Sequence, residues 1–334
     1  MYLLGLGIYL PKPRMRAEEI AERSGLPAWV VREKLGIREK PIPGPEDHPA
    51  EMAVWAAQQA LREAGIAPQE VDAVLSITEE YKDYPVWTSG SHIAHRLGAR
   101  RAWAFDLNQK CASFIAALAV ARGLIATGQA RYVLIAGGYR NGDLIDYRDP
   151  EVRFMYDLAA GGAAAVLGPE GPGLRVLSTR LRTDSSLANA VLVPVGGTRE
   201  PLTPHNLDRF RLVVTDPPGM KARLEAVSLA NFLAVVREAL EAAGHTPADL
   251  AYLALLHMKR SAHKAVLERL GLREDQSLYL EDYGHLGQLD PILSLKLALE
   301  RALLPPGGLA ALVAAGVGYH WGAAVVRREV RHGA

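Results

Sequence analysis

The only cysteine among the 334 residues, Cys111, stands in FDLNQKCASFIAAL (105–118), where a strand-like run gives way to a helix-like one. A thiolate is a strong nucleophile. A helix N-terminus or an adjacent cation lowers the thiol from its ordinary value of about 8.5. Lys110 is such a cation, and the junction makes Cys111 read as reactive rather than as an inert buried thiol. Two histidines occupy comparable junctions. His257, in LALLHMKRSAHKAV, follows an apolar run and precedes a basic amphipathic helix, and His285, in YGHLGQ, is flanked by glycines that allow close backbone approach. A thiol with two imidazoles suffices for acyl transfer through a thioester, and a neutral imidazole N–H can stabilise an enolate oxygen. Asp290 either orients an imidazole or caps the helix that runs on through Pro291, with capping the favoured role. Backbone amides around Gly316 and Gly318 in AAGVGYHWGAAVVR (314–327) either face an acyl oxygen or make a tight turn.

What must position these groups is legible as a repeat. ALREAGIAPQEVDAVLSIT (60–78) and ALEAAGHTPADLAYLALLH (239–257) share an Ala/Leu-rich helix, a glycine stop, a nearby proline and an apolar strand. HRLGA (95–99) is echoed by ERLGL (268–272), RYVLIAGG (131–138) by LAALVAAGVG (309–318), and GGAAAVLG (161–168) by WGAAVVRR (321–328), in the same order. The chain therefore reads as two copies of one α/β unit, 1–170 and 171–334, each alternating helices with short strands. The repeat places His257 where Thr78 stands, and it makes His285, in a segment (278–290) that follows a strand and opens a helical run, the approximate counterpart of Cys111. Three groups at strand ends then converge on the seam. CASFIAALAVARGLIATG (111–128) has few charges and predicts a helix packed on most sides.

Composition narrows the rest. A net charge of +1 gives no reason to expect nucleic acid or an anionic membrane as a partner. One cysteine excludes an internal disulfide and a multi-cysteine metal site, and fits a reducing, cytoplasmic setting. His92 and His95 share a helix face but have no acidic or cysteine partner nearby in sequence, so no metal is expected. MYLLGLGIYLPKPR reads as a buried first strand rather than a signal peptide, and no apolar run reaches bilayer length. Nothing matches a phosphate loop or a dinucleotide fingerprint.

The motifs LGIREKPI, EMAVWAAQQALREAGI, AFDLNQKCASFIAALAVARGLIATGQARYVLIAGG, LLHMKRSAHKAVLERLGL, YGHLGQLD and GVGYHWGAAVVR together resemble the thiolase superfamily. Within it, the resemblance is to β-ketoacyl-acyl-carrier-protein synthase III, over nearly the full length. It implies a duplicated five-layer α/β/α/β/α fold, usually as a homodimer, and a Claisen condensation in fatty-acid or related lipid or polyketide synthesis. No cofactor is implied; acyl-CoA and acyl-carrier-protein thioesters are the substrates. By motif, Cys111 is similar to the acyl-accepting nucleophile and His257 to the family histidine, and the amides of Cys111 and Gly318 would form the oxyanion hole. Trp29, with Lys34 or Arg32, lies in the stretch that holds the CoA nucleotide in the family. Lys259 and Arg260 form a basic patch fit for CoA phosphates or an acidic carrier helix.

Departures accompany the match. HMKR replaces the usual HQAN, an acid is missing near Ala160, and His285 stands where the family has asparagine. Glu79 and Glu80 in ITEEYKDYP lie near the general acid of 3-hydroxy-3-methylglutaryl-CoA synthase, with surface solvation as their expected role. That aldol chemistry is one alternative function. A non-catalytic subunit that binds a carrier protein is another.

Overall fold

A computed structural model describes residues 1–330 of the chain. The first half runs β1 (Tyr2–Tyr9), β2 (Arg14–Arg16), α1 (Ala17–Ser24), β3 (Glu39–Pro41), α2 (Pro49–Ala64), β4 (Ala73–Ser76), α3 (Ser89–Leu97), β5 (Trp103–Asp106), α4 (Ser113–Ala126), β6 (Val133–Tyr139) and β7 (Gly161–Gly168). The second runs β8 (Leu174–Thr183), β9 (Val191–Leu192), β10 (Val213–Val214), α5 (Pro217–Ala242), β11 (Leu250–Leu255), α6 (Arg260–Leu270), α7 (Asp290–Glu300), β12 (Leu309–Gly316) and β13 (His320–Arg328).

Strand order shows the duplication directly. In the first half it is β1-β7-β6-β4-β5, with β4 parallel to β5 and β6 and the rest antiparallel. In the second it is β8-β13-β12-β11, with only β11 and β12 parallel. Tyr2 and Leu3 of β1 pair with Arg175 and Leu174 of β8, which joins the two sheets at one corner.

Successive side chains on a strand point to opposite faces, and this periodicity sorts residues into three cores. Ala73 and Leu75 of β4 join Tyr252 and Ala254 of β11 in a central core. Val74 faces outward with residues of α2 and α3, while Leu253 and Leu255 face α5 and α6. The central core is filled by α4 and α7, each of which touches strands of both sheets. Helices outside, two sheets and a shared helical layer make the five-layer α/β/α/β/α order expected above.

One expected element is replaced. No strand forms between α6 and the segment 278–290, so the second sheet has four strands where the first has five. Side chains take over the pairing. Gln276 Nε2 donates to the Leu250 carbonyl at 2.7 Å, Ser277 Oγ to the Leu253 carbonyl at 2.7 Å, and the Leu278 amide to Tyr252 Oη at 3.2 Å. The chain is held beside β11 without a backbone ladder.

Helix α2 lies directly on glycines of the first sheet. A Cβ on Gly7 would stand 1.9 Å from the Ala56 carbonyl oxygen, and one on Gly138 1.9 Å from that of Pro49. The obstacle is backbone, which cannot swing away. Gly7→Ala is expected to lower the unfolding free energy by about 3 kcal/mol, the upper range for overpacking. A urea titration that moves by less than about 0.5 kcal/mol would show that the helix does not sit this close.

Candidate active site

Between β5 and α4 the chain makes a tight turn that presents Cys111. Lys110 has a positive φ of 51°, and Ser113 pins the turn from both sides. Its Oγ accepts the Gln109 amide at 2.7 Å and donates to the Lys110 carbonyl at 2.6 Å. The helix begins only at Ser113, so Cys111 precedes it rather than opening it. Gly316 at the end of β12 backs this turn, and a Cβ there would meet the Cys111 amide nitrogen at 2.7 Å. Lys110 is turned away from the sulfur, with Nζ 2.5 Å from a Glu80 carboxylate oxygen. Burial pushes the Cys111 thiol above its ordinary value, against the pull of His285. The expected lowering by Lys110 and the helix end is thus overturned, because the cation has another partner and the thiol is enclosed.

Against the sulfur lies His285, whose Nε2 is 3.2 Å from Cys111 Sγ. The two residues are equivalent in the duplicate. Each lies seventeen positions before the left-handed residue that closes its helix, Gly128 after α4 and Ala302 after α7. On its other side His285 Nδ1 is 2.6 Å from Asp290 Oδ2. Asp290, fully buried, also accepts the His257 amide at 2.8 Å and the Leu286 amide at 2.8 Å. It caps none of its own helix; α7 has no side-chain cap. The favoured capping role gives way to orientation. Burial works against a charged ring, yet the Asp290 carboxylate and then the Cys111 sulfur outweigh it and hold His285 well above its ordinary value. With Nδ1–H committed to Asp290, Nε2 is free to take the thiol proton. That is the nucleophile–base–orienter logic of acyl-transfer sites.

His257 follows β11, in the position of Thr78 after β4, but it does not touch the sulfur. Its Nδ1 is 2.6 Å from Asp157 Oδ2, and its Nε2 donates to the Gly36 carbonyl at 3.0 Å. The Tyr279 ring lies alongside, 5.2 Å between centroids. Asp157 is held below the usual carboxylate range; burial opposes this, and the hydrogen bond from His257 prevails. Of the two imidazoles expected at the sulfur, the structure brings only His285 into contact.

The two glutamates separate. Glu80 pairs with Lys110 and stays below its ordinary value despite its own burial. Glu79 is 5% exposed, accepts Asn141 Nδ2 on Oε2 at 2.9 Å, and has no partner for Oε1. Burial raises its carboxyl above the ordinary value. Surface solvation, expected for both, fails for Glu79, because the chain after β4 turns inward there.

Cys111, His285, His257, Asp157 and both glutamates border one cavity of about 650 Å³, within the range of small-molecule sites, while Asp290 lies behind His285 outside the lining. Cys111, Glu79, His257, His285 and Lys259 supply polar wall, and Phe154, Leu192, Leu212 and Phe232 apolar wall. From the Gly-rich segment the lining residues are Ala315, Val317 and Tyr319. Gly318 instead faces His320, whose Nε2 is 3.2 Å from where a Cβ would stand. Arg260 pairs with Glu281 and lies over the Tyr279 ring at 4.2 Å. Trp29 (half exposed), Arg32 and Lys34 flank or lie on the turn that packs against α6, outside the cavity lining, and Arg32 pairs with Glu18. No group of metal-ligating side chains occurs among the described residues.

Profiles for 3-oxoacyl-[acyl-carrier-protein] synthase III match residues 105–185 and, for its C-terminal part, 240–328. A 3-oxopimeloyl-[acyl-carrier-protein] synthase of Rhodothermus marinus is 31% identical over 95% of this chain and 90% of its own. A β-ketoacyl-[acyl-carrier-protein] synthase III of Rhodospirillum centenum is 30% identical over 97% of this chain and 98% of its own. The chain belongs to the β-ketoacyl-acyl-carrier-protein synthase III family. Its fold agrees: the synthase III of Thermus thermophilus superposes with a TM-score of 0.84 at 26% identity, covering 98% of this chain and 99% of that one. It is a condensing acyltransferase with a thiolase-like fold.

As a synthase III, the chain has site residues that its motifs did not disclose. Asp157 lies 100 positions from the His257 it orients. The one signal was the missing acid near Ala160, three residues further on. Asn141 and Tyr139, also in the cavity wall, carried no motif.

Glu79 gives a pH-dependent stability with a definite sign. Its folded carboxyl keeps a proton at pH values where the unfolded chain, near 4.5, has released it. The native state then binds more protons than the unfolded one, so this group makes stability fall as pH rises above about 4.5. Glu79→Gln removes the effect. The variant is expected to match the wild type near pH 4 and to melt at higher temperature at pH 7.5. An equal melting temperature at both pH values would refute the buried, protonated carboxyl.

Proposed function

We propose that the enzyme transfers an acyl group from acyl-CoA to Cys111 and condenses it with a malonyl thioester on a carrier protein. His285 Nε2 takes the thiol proton, the thiolate attacks the acyl carbonyl, and CoA leaves as its thiol with that proton. In the second half, the malonyl donor loses CO₂. The resulting carbanion attacks the acyl–Cys111 carbonyl, and Cys111 leaves as thiolate. Held well above its ordinary value, His285 takes up a proton from solvent once CoA has left, and its Nε2–H stabilises the donor's enolate oxygen, while backbone amides of Cys111 and of the 316–319 segment stabilise the tetrahedral oxyanion. The observation that carries this reading is the Asp290–His285–Cys111 chain, with its 2.6 and 3.2 Å contacts, at the wall of a cavity large enough for an acyl thioester.

Partners follow the same reading. Lys259 and Arg260, at the start of α6 beside the turn 30–35, suit CoA phosphates or an acidic carrier helix. Strand β5 is an open sheet edge with Trp103 exposed and stacked on Phe105. Such an edge is a template for pairing with a second copy, which supports a homodimer. No helix among the described residues is long and apolar enough to cross a membrane, and a cytoplasmic setting with free acyl-CoA suits a lone reduced thiol.

One observation favours a second reading. Glu79, its carboxyl raised by burial and its Oε1 unpartnered, can take an α-proton from acetyl–Cys111 and return it to the alkoxide formed when the resulting enolate adds to a ketone such as acetoacetyl-CoA. Glu79→Gln decides between them. Decarboxylative condensation should survive the change within a few-fold, whereas aldol addition should fall by about 10² or more, as expected for a lost general acid.

Intact mass after exposure to a mixture of acyl-CoAs should show a single acyl adduct, absent in Cys111→Ala. His285→Ala should slow malonyl-thioester decarboxylation by at least about tenfold, a low bound for one oxyanion donor. No adduct from any acyl-CoA would refute acyl transfer to Cys111; undiminished decarboxylation would remove His285 from that step.

A further inference from the structure

We infer that Lys40 is a buried positioning residue that sets both active-site imidazoles by anchoring the backbone on either side of Asp157. Lys40 lies on β3, 1% exposed, and is used by no step of the chemistry above. Its Nζ is 2.7 Å from the Tyr156 carbonyl, 2.6 Å from the Leu158 carbonyl and 2.8 Å from Tyr147 Oη. The two carbonyls flank Asp157, whose carboxylate turns to His257 Nδ1. On its other edge the same segment holds the backbone of His285. The His285 amide donates to the Asp157 carbonyl at 2.8 Å, and the Ala159 amide to the His285 carbonyl at 2.9 Å. One amine thus clamps four residues that carry the orienting carboxylate of one histidine and the main chain of the other. Gly284 completes the fit, since a Cβ there would meet the Asp157 carbonyl oxygen at 2.4 Å and Lys40 Cβ at 3.0 Å.

The three partners are satisfied in either protonation state. An ammonium donates to all three, while a neutral amine donates to the two carbonyls and accepts the Tyr147 hydroxyl. Burial lowers Lys40 to about 7. Asp157 and Asp143 oppose the change, and Arg23 assists it. The clamp therefore holds on both sides of neutrality, but the positive charge facing Asp157 is present only below about pH 7. That charge favours the Asp157 carboxylate.

The inference rests on the proposed roles of His257 and His285, so the test separates the two. Condensation is measured from pH 5.5 to 9 in wild type, Lys40→Met and Tyr147→Phe, normalised to Cys111 titrated by iodoacetamide. Per titrated cysteine, Lys40→Met should lose about tenfold or more, the scale of small misplacements of catalytic groups. The wild-type to variant ratio should be largest below pH 7 and shrink above it. Tyr147→Phe removes one hydrogen bond from either protonation state, and the charge-assisted bond from the ammonium is the stronger, so the inflection near pH 7 should move downward. A Lys40→Met loss that vanishes on normalisation, or a ratio flat with pH, would make Lys40 merely structural. If Lys40→Met does not fold, an unmoved inflection in Tyr147→Phe overturns the inference. A wild type that acylates Cys111 but never condenses would refute the proposed function instead.

Discussion

One fully buried carboxylate, Asp290, ties the catalytic end of the molecule together. Its two oxygens take the His285 ring, the Leu286 amide and the His257 amide. Three donors meet it in an enclosed place, and its carboxylate raises His285 and so makes it a stronger base toward Cys111. Remove it and the imidazole loses both its orientation and its basicity, while the turn after β11 loses an anchor. The rest of the site is built around that charge. The sulfur is buried because its base is, and the cavity is shaped by the loops that enclose both.

The duplication explains why such a charge can be placed so accurately. Cys111 and His285 stand at the same point of the two copies, before the two helices that fill the central layer. Rigid secondary structure positions a site more closely than loops do, and here both groups sit in turns just ahead of helices clamped between sheets. The copies then diverge where chemistry requires it. The first retains a full edge strand; the second gives it up for side-chain bonds from Gln276 and Ser277. The freed segment carries the YGH turn into the cavity.

This division sets what was readable in advance. The two-copy plan, Cys111 and His285 were legible because the repeat is local in sequence and its periodicity is strong; the five-layer order came from the resemblance to the thiolase superfamily. Element positions come from spacing, and spacing survives without coordinates. The partners were not legible. Asp290 has the spacing of a helix cap and the position of an orienter, and only the direction of its side chain separates the two. Glu79 and Glu80 are adjacent and chemically identical, so which one turns inward depends on the fold around them. Asp157 and Lys40 act across 100 or more positions. No local pattern announces a contact of that kind.

The polar groups around the sulfur are also less satisfied than those of an ordinary core. Glu79 Oε1, Asn141 Oδ1 and Gln109 Oε1 are buried without a hydrogen-bond partner, in the cavity wall or the nucleophile turn. Each unmet acceptor costs about 1–3 kcal/mol, and ordinary cores avoid it. Two of them, the amide oxygens of Asn141 and Gln109, are acceptors, as a site for a substrate with N–H and O–H donors would require, while Glu79 Oε1 donates when its raised carboxyl holds a proton. A ligand that brings such donors recovers free energy the unliganded chain cannot, while one that offers only carbon recovers none. Discrimination between a thioester with an amide-bearing arm and a simple lipid of the same length then follows from the chain's own unsatisfied oxygens, with the apolar wall left to accept the alkyl part.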